Sequence, residues 1–221
     1  MTTLLSTILK ENNPDLFDKD SHTRAQQSIV KSNLFGDDCP YVAYTLDNCL
    51  TPEECQAIRK GMDTMGYDIK WSGNRLCCRN AFQDPDLSTM LFERLQSFLP
   101  QSHLFLGRER NLHGLNPQFR AIKYRHEKFG HKFGKHIDFS NSGNGLKSFY
   151  TFMIYLNEEF EGGETVFLKK GYEYSLKPKT GTIIVFEQDQ KALEHEGLPI
   201  RGNESVEKYI LRSDVFYSPI F

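Results

Sequence analysis

The first candidates for chemistry are His136 and Asp138, which lie two positions apart in the segment 136–138. Side chains two positions apart in an extended strand point to the same face, so an imidazole and a carboxylate project together here. They supply two thirds of the 2-His-1-carboxylate triad that binds non-haem Fe(II). Composition alone produces such a pair roughly 0.4 times in a chain of this make-up. A surface histidine beside a solvated aspartate is therefore the alternative, and the context must decide.

The context lies further along the chain. His195 follows a strand-like run of β-branched residues at 181–188, and Lys208 and Arg212 lie in a second such run, EKYILRSDVFY. Two histidines and one aspartate leave half of an octahedral iron free for a bidentate cosubstrate and O₂. A cation on a later strand can bind the far carboxylate of a dicarboxylate such as 2-oxoglutarate.

Five motifs occur in a characteristic order. After His136 and Asp138 come YLN at 155–157, FEGGETVF at 160–167, HEGLP at 195–199 and, after a glycine, KYILRSDVFY at 208–217. In this order the sequence resembles the Fe(II)/2-oxoglutarate dioxygenases, in their prolyl 4-hydroxylase-like branch. The resemblance covers residues 41–217, and five ordered motifs are far more specific than one.

The resemblance implies a function for seven residues. It implies that the iron ligands, which are also the catalytic residues, are His136, Asp138 and His195. The implied contacts of the 2-oxoglutarate 5-carboxylate are Lys208, the hydroxyls of Tyr124 and Thr165, and more loosely Tyr155. The implied cofactor is Fe(II), with 2-oxoglutarate and O₂ as cosubstrates and ascorbate as an optional reductant.

Two departures from the family pattern affect this assignment. The stretch between His195 and Lys208 is about three residues longer than in the prolyl 4-hydroxylases, and the stretch before His136 is about two residues longer, which weakens the assignment of Tyr124. Arg212 lies on the same strand face as Lys208 and is the rival carboxylate anchor; a structural ion pair or a substrate contact is its other interpretation.

The implied reaction is hydroxylation of an unactivated C–H bond, with 2-oxoglutarate converted to succinate and CO₂. The branch favours a prolyl residue in a peptide or protein, and a free amino acid or another small molecule is the alternative. A binding or scaffold protein that retains the fold without turnover is a hypothesis of another class. A zinc hydrolase is disfavoured because no general base accompanies the triad.

The fold expected is α+β and mainly β, because strand patterns fill the C-terminal half and helical patterns the first half. With the resemblance, this becomes a double-stranded β-helix, the jelly roll also found in cupins, braced by N-terminal helices. Residues 41–221 are expected to form a single dioxygenase domain, and residues 1–40 an N-terminal arm or cap of uncertain order.

Local signals predict several elements. Thr51, Pro52 and Glu54 form a capping-box pattern that begins a helix ending near Gly66. Helical spacing predicts a second helix over 88–98, and a short helix is expected within 25–35. Strands are expected at 41–50 and 119–124, whereas 71–86 and 107–118 are expected to be loops; 71–86 resembles a region near the substrate entrance in the family.

Composition sets limits on function. A formal net charge of −2 over 221 residues provides no basic field for nucleic acid, and no apolar run approaches the 18 residues of a membrane span. The five cysteines have no C-x-x-C spacing, and no leader-like segment is evident at the N-terminus. These features predict a reduced cytoplasmic protein with no membrane or nucleic-acid partner; they leave its oligomeric state open.

Overall fold

The computed structural model describes residues 4–12, 28–36 and 38–219. Its α-helices are α1 (Leu5–Asn12), α2 (Pro52–Met65) and α3 (Pro85–Leu95), and its 3₁₀ helices are Gln96–Phe98, Glu127–Phe129 and Lys191–Leu193. Its strands are β1 (Val30–Asn33), β2 (Ala43–Asp47), β3 (Asp68–Ser72), β4 (Arg75–Gln83), β5 (Ser102–Phe105), β6 (Arg108–Leu115), β7 (Gln118–Arg125), β8 (Lys132–His136), β9 (Ser142–Gly143), β10 (Leu146–Tyr155), β11 (Glu161–Gly162), β12 (Thr165–Phe167), β13 (Tyr174–Leu176), β14 (Ile183–Glu187), β15 (His195–Gly197), β16 (Ile200–Arg201) and β17 (Glu207–Pro219).

Fifteen of these strands form one curled sheet, in the order β1-β2-β14-β10-β17-β7-β4-β8-β15-β12-β13 with β3, β5, β6 and β9 attached beside it. β11 and β16 form a separate pair. All of the described pairings are antiparallel. This architecture confirms the predicted mainly β jelly roll.

The two faces of β10 bury different cores. Phe152 and Ile154 lie in a large apolar cluster that also contains buried residues of the three α-helices. Met153 and Tyr155 lie in a smaller cluster enclosed by the curled sheet. Alternate residues of a strand point to opposite faces, and both faces of β10 are buried. Its sequence is therefore a continuous apolar run. The helices therefore cover one face of the sheet and leave the other to enclose a site.

The helix α2 begins as the capping-box pattern predicts. The Thr51 hydroxyl accepts from the Glu54 backbone N–H at 3.2 Å, and the Glu54 carboxylate accepts from the Thr51 backbone N–H at 2.8 Å. The same carboxylate receives two 2.8 Å hydrogen bonds from Arg94 on α3. This pair is almost fully buried, so it ties the two bracing helices together.

Two loop predictions are wrong, and a third prediction, of a short helix, is corrected in its extent. Residues 71–86 do not form a loop but contribute to the β3–β4 hairpin, and most of 107–118 forms strand β6. The helix expected within 25–35 does not extend through Val30–Asn33, which form β1; residues 25–27 lie outside the described residues. All side chains of β1 and β3 are exposed, so these strands form by backbone pairing without the apolar alternation that marks a buried strand.

The helix predicted over 88–98 is present as α3 and the 3₁₀ turn that follows it. It begins earlier than expected, because the Asp84 side chain accepts from the Leu87 backbone N–H at 3.0 Å and Pro85 occupies the first turn. Within the described residues, α1 also belongs to the core, since Leu5 and Leu9 are buried against the other helices. None of the described helices has the length and apolar character needed to cross a membrane.

Candidate metal and cosubstrate site

Strand pairing brings the first three candidate residues together. β8 pairs with β15 so that His136 lies opposite His195, and Asp138 follows directly after the end of β8. One ligand atom of each lies within 4.8 Å of the others. His136 Nε2 is 3.6 Å from Asp138 Oδ1, and His195 Nε2 is 4.0 Å from Asp138 Oδ2. The three donors therefore converge on one point.

Both imidazoles present Nε2 to that point. His136 Nδ1 lies 2.8 Å from the Gly134 carbonyl oxygen, and His195 Nδ1 lies 2.9 Å from the Leu193 carbonyl oxygen. A carbonyl only accepts, so each Nδ1 carries the proton and each Nε2 keeps its lone pair. Burial and the neighbouring His195 lower the pKa of His136 to about 4, and burial also lowers the pKa of His195. Both rings are neutral at pH 7, as metal ligation requires.

Asp138 is buried and ionised. Burial raises the pKa of the Asp138 carboxyl, but Arg212 and the two imidazoles together lower it by more. The resulting pKa is about 2. Arg212 Nη1 donates to Oδ1 at 2.8 Å, and the Thr151 hydroxyl donates to Oδ2 at 2.7 Å. These two bonds fix the orientation of the carboxylate. Two imidazole nitrogens and one carboxylate oxygen form the donor set of a non-haem Fe(II) site, so the residues fit that metal.

A cavity of about 40 Å³ adjoins the three donors. Its walls are formed by Ile122, Tyr124, Phe133, His136, Asp138, Met153, Thr165, His195, Gly197, Lys208, Ile210 and Arg212. Polar groups lie at both ends and apolar side chains between them. The cavity thus joins the metal-binding donors to the candidate cosubstrate residues.

Lys208 lies at the end of the cavity away from Arg212. It is 3% exposed, its Nζ donates to the Gly163 carbonyl oxygen at 2.6 Å, and Nζ lies 5.7 and 5.5 Å from the ring centroids of Tyr124 and Tyr155. Burial lowers the pKa of Lys208 to about 7, although Glu164 raises it. No carboxylate of the described residues lies within 4.0 Å of this ammonium. A buried cation without a counter-charge suits a carboxylate ligand.

Three hydroxyl residues surround Lys208. Tyr124 is its direct cross-strand partner, so the longer loop before His136 does not displace Tyr124 from the cavity. The Tyr155 and Thr165 hydroxyls lie 2.6 Å apart and are both buried. All three residues that the resemblance associates with the cosubstrate therefore lie near the ammonium.

Two consecutive glycines shape this end of the site. Gly162 and Gly163 both have φ of +72°, where a side chain is strained. A Cβ on Gly162 would lie 2.7 Å from the Pro199 carbonyl oxygen, and one on Gly163 would lie 2.8 Å from the side chain of Ile200. The Gly-Gly pair thus permits the close turn that directs the Gly163 carbonyl toward Lys208.

Arg212 lies on the same face of β17 as Lys208, at the end of the cavity where the three metal-binding donors meet. Besides Asp138, it approaches Asp214, with Nη2 3.8 Å from Oδ1. Asp214 is fully buried and also accepts from Asn141 Nδ2 and Gln188 Nε2, each at 2.8 Å. This polar network behind the triad was not foreseen from the sequence. The one local signal for it is a charged residue, Asp214, within an otherwise apolar strand pattern.

The other two histidines near the motif lie outside the cluster. His131 Nδ1 accepts from the Arg125 backbone N–H at 3.1 Å, and His126 Nδ1 accepts from the Lys128 backbone N–H at 3.2 Å. His126 thereby caps the 3₁₀ turn that follows it. Both interactions organise the loop before β8.

Comparison with known proteins supports the same interpretation. Residues 119–213 match the family described as 2OG-Fe(II) oxygenase superfamily, and this segment contains all seven candidate residues. No curated protein matches the chain.

The fold is similar to several solved structures. One is the viral collagen prolyl hydroxylase of Paramecium bursaria Chlorella virus-1 in its 2-oxoglutarate complex, with a TM-score of 0.56 and 19% identity over 82% of this chain and 98% of that chain. A Trichoplax adhaerens prolyl hydroxylase has a TM-score of 0.54 and 15% identity over 88% of both chains. A Pseudomonas putida prolyl-4-hydroxylase has a TM-score of 0.50 and 16% identity over 96% of this chain and 98% of that chain.

The order of the motifs, the convergent donors and the matched segment agree on one assignment. The segment 119–213 is similar to the 2OG-Fe(II) oxygenase superfamily, the chain has the fold of the similar solved structures, and its three convergent side chains form the donor set of a non-haem Fe(II) site.

Proposed function

We propose that this oxygenase hydroxylates an unactivated C–H bond of a prolyl residue in a peptide or protein. The observation that carries the proposal is the cavity that joins the His136, Asp138 and His195 donors to the buried, uncompensated Lys208. The prolyl hydroxylases with a similar fold support the choice of proline. One of them is complexed with a hypoxia inducible factor peptide, which supports a peptide substrate.

In this proposal His136, Asp138 and His195 are the iron ligands. Fe(II) with 2-oxoglutarate and O₂ supplies the oxidising power, and 2-oxoglutarate leaves as succinate and CO₂. The Nδ1 contacts hold the imidazoles in the ligating tautomer, and Thr151 and Arg212 orient the carboxylate. The protein thus contributes a preformed, neutral-imidazole site.

Lys208 is the proposed anchor for the far carboxylate of 2-oxoglutarate. When 2-oxoglutarate is bound, the hydroxyls of Tyr124, Thr165 and Tyr155 would donate further hydrogen bonds to this carboxylate. Apolar side chains of Ile122, Met153 and Ile210 line the space between the anchor and the metal donors and exclude water from it. Charge-assisted contacts of this kind contribute about 1.5–3 kcal/mol each.

The proposal is tested by succinate formation from 2-oxoglutarate with Fe(II), against a panel of proline-containing peptides and free amino acids. We expect succinate above blank without prime substrate and more with a peptide that becomes hydroxylated. His136→Ala and Asp138→Ala should abolish both turnover and stoichiometric Fe(II) binding, because two donors are too few to define the site. His113→Ala, at an exposed position on β6, is the matched control.

Two results would contradict the proposal. Full turnover by Asp138→Ala would exclude the ligand assignment. Peptide binding without succinate formation for any substrate would support the scaffold hypothesis instead.

A further inference from the structure

Four arginines lie on three strands of the sheet that encloses the cavity. Arg75 and Arg79 belong to β4, Arg120 to β7 and Arg212 to β17. Arg212 is the direct cross-strand partner of Arg120, which in turn lies opposite Ala81 on β4. Cross-strand partners share a face, and residues two apart on one strand share it too. The four guanidinium groups therefore project from one side of the sheet.

This side of the sheet is the side of the site. Arg212 lines the cavity, and Arg79 is the cross-strand partner of Ile122, which also lines it. The Arg75 guanidinium lies 4.9 Å from the centroid of the Phe133 ring. That ring stacks on His136 with the centroids 3.6 Å apart. Arg75 and Arg212 thus lie beside the metal donors, and Arg79 lies on the same side of the sheet.

The carboxylates nearby do not balance these charges. Arg120 and Arg212 share Asp214, and Arg212 also binds Asp138, which the proposed function assigns to iron. Within the described ranges, no carboxylate lies within 4.0 Å of Arg75 or Arg79.

Two further features indicate that the described residues provide no anionic partner for Arg75 or Arg79. The Nε atom of each is buried and makes no hydrogen bond. Asp68 is the cross-strand partner of Arg79 on β3, but it is exposed and pairs with Lys70 at 3.1 Å. Burial and the adjacent arginines lower the pKa of Arg79, as expected where like charges gather without an anion.

We infer that the prime substrate carries a carboxylate and that Arg79 and Arg75 bind it at the approach to the metal donors. The planar guanidinium fork matches a carboxylate with two parallel hydrogen bonds, and an Arg pair recognises an anion better than a neutral amide. This inference rests on the proposed function and narrows its substrate class. In the peptide substrate of the proposed function this carboxylate belongs to an acidic side chain, and the α-carboxylate of a free amino acid is the rival source that the test distinguishes.

Matched acid and amide probes test the inference. The probes are L-proline with L-prolinamide, C-terminally amidated proline peptides carrying Glu or Gln beside the proline, and acetate with acetamide. Binding to the protein saturated with Mn(II) and 2-oxoglutarate is measured by calorimetry. We expect the acid of at least one pair to bind roughly 10- to 100-fold more tightly than its amide. The first and second pairs distinguish the two sources of the carboxylate.

Substitutions assign the preference to a residue. Arg79→Gln should reduce the ratio of acid affinity to amide affinity by roughly tenfold or more. Arg79→Lys should retain part of this preference because the charge remains. Arg110→Gln is the matched control: it removes one arginine from β6, where Arg110 contacts the Phe105 ring and not the site, and should leave the ratio unchanged.

Equal affinity of acid and amide in every pair, or no binding of any acid at millimolar concentration, overturns the inference. So does an unchanged ratio in Arg79→Gln, or an effect of that variant confined to 2-oxoglutarate affinity. Succinate formation by the wild-type protein without prime substrate tests the proposed function separately. If succinate forms but acid and amide bind equally well, only the inference fails. If no succinate forms under any condition, the proposed function fails.

Discussion

The Arg212 guanidinium donates to the Asp138 carboxylate across 2.8 Å, at the oxygen that also lies nearest to His136. The sequence pattern makes Arg212 a rival to Lys208 for the cosubstrate carboxylate, with a structural ion pair or a substrate contact as its other interpretation. The geometry favours the ion pair. Lys208 has no carboxylate partner among the described residues, whereas Arg212 binds one and approaches a second, Asp214.

Arg212→Gln should destabilise the metal-free protein by about 3 kcal/mol, because it leaves the buried Asp138 charge without its guanidinium. A divalent metal supplies a new positive charge to the same carboxylate. The loss should therefore shrink when Mn(II) is present. Urea unfolding with EDTA and with Mn(II) measures both values, and Arg110→Gln is the control. An equal loss in both conditions would show that Arg212 acts through something other than Asp138.

Lys208→Ala should raise the apparent KM for 2-oxoglutarate by roughly 10- to 100-fold while iron binding remains, because the far carboxylate loses its counter-charge. Arg212→Ala should change that KM markedly less. Steady-state succinate formation with varied 2-oxoglutarate measures both. If the larger effect belongs to Arg212→Ala, the anchor has been assigned to the wrong residue.

Affinity for 2-oxoglutarate should decrease as the pH rises above 7. Burial lowers the pKa of Lys208 from its ordinary 10.5 to about 7, so the free site loses its positive charge above that pH. Each further pH unit should weaken binding by up to about tenfold until the pKa of the bound state is reached. Calorimetry with Mn(II) between pH 6 and about 8.5 measures this and should show proton uptake on binding.

Lys208→Arg is the control for that pH dependence, since an arginine remains charged throughout the range. This variant should bind with little change between the two ends of the range. The same pKa shift also predicts how stability changes with pH. The unfolded chain binds the Lys208 proton up to its ordinary pKa, so the ligand-free protein should gain stability as the pH rises above 7.

Glu54→Gln should reduce the free energy of unfolding by about 3–5 kcal/mol. The substitution removes the negative charge that the buried Arg94 guanidinium binds through two hydrogen bonds, and it weakens the cap at the Thr51 backbone N–H. Metal affinity should be unchanged, because this pair joins two helices on the face of the sheet opposite the site. Urea unfolding measures the loss of stability, and Fe(II) titration measures the metal affinity. A large loss of metal affinity would show that the contact between the two helices affects the site.

Local patterns in the sequence determined the elements that are stabilised locally. The α2 capping box was correctly predicted from Thr51 and Glu54, because a cap is built from residues three positions apart. Strand β7 was predicted because its apolar residues face a core. The exposed strands β1, β3 and most of β6 were not, since their pairing depends on neighbouring strands and leaves little mark on hydrophobic periodicity.

The three candidate donor residues were also predicted from the sequence, through the order of five motifs. Only the tertiary structure decided how they meet. The β8–β15 pairing sets His195 opposite His136, and carbonyls of the neighbouring backbone select the tautomer of each ring. These contacts join residues far apart in the chain and depend on strand register and side-chain direction.

The tertiary structure also decided which charged neighbours each cationic side chain has. Lys208 and Arg212 share a strand face in the sequence pattern, yet among the described residues no carboxylate lies within 4.0 Å of Lys208, whereas Arg212 binds Asp138. The grouping of Arg79 with the arginines of two other strands is equally invisible in the chain order. Charge balance is a sum over neighbours in space, so folding alone determines which charges remain for a ligand.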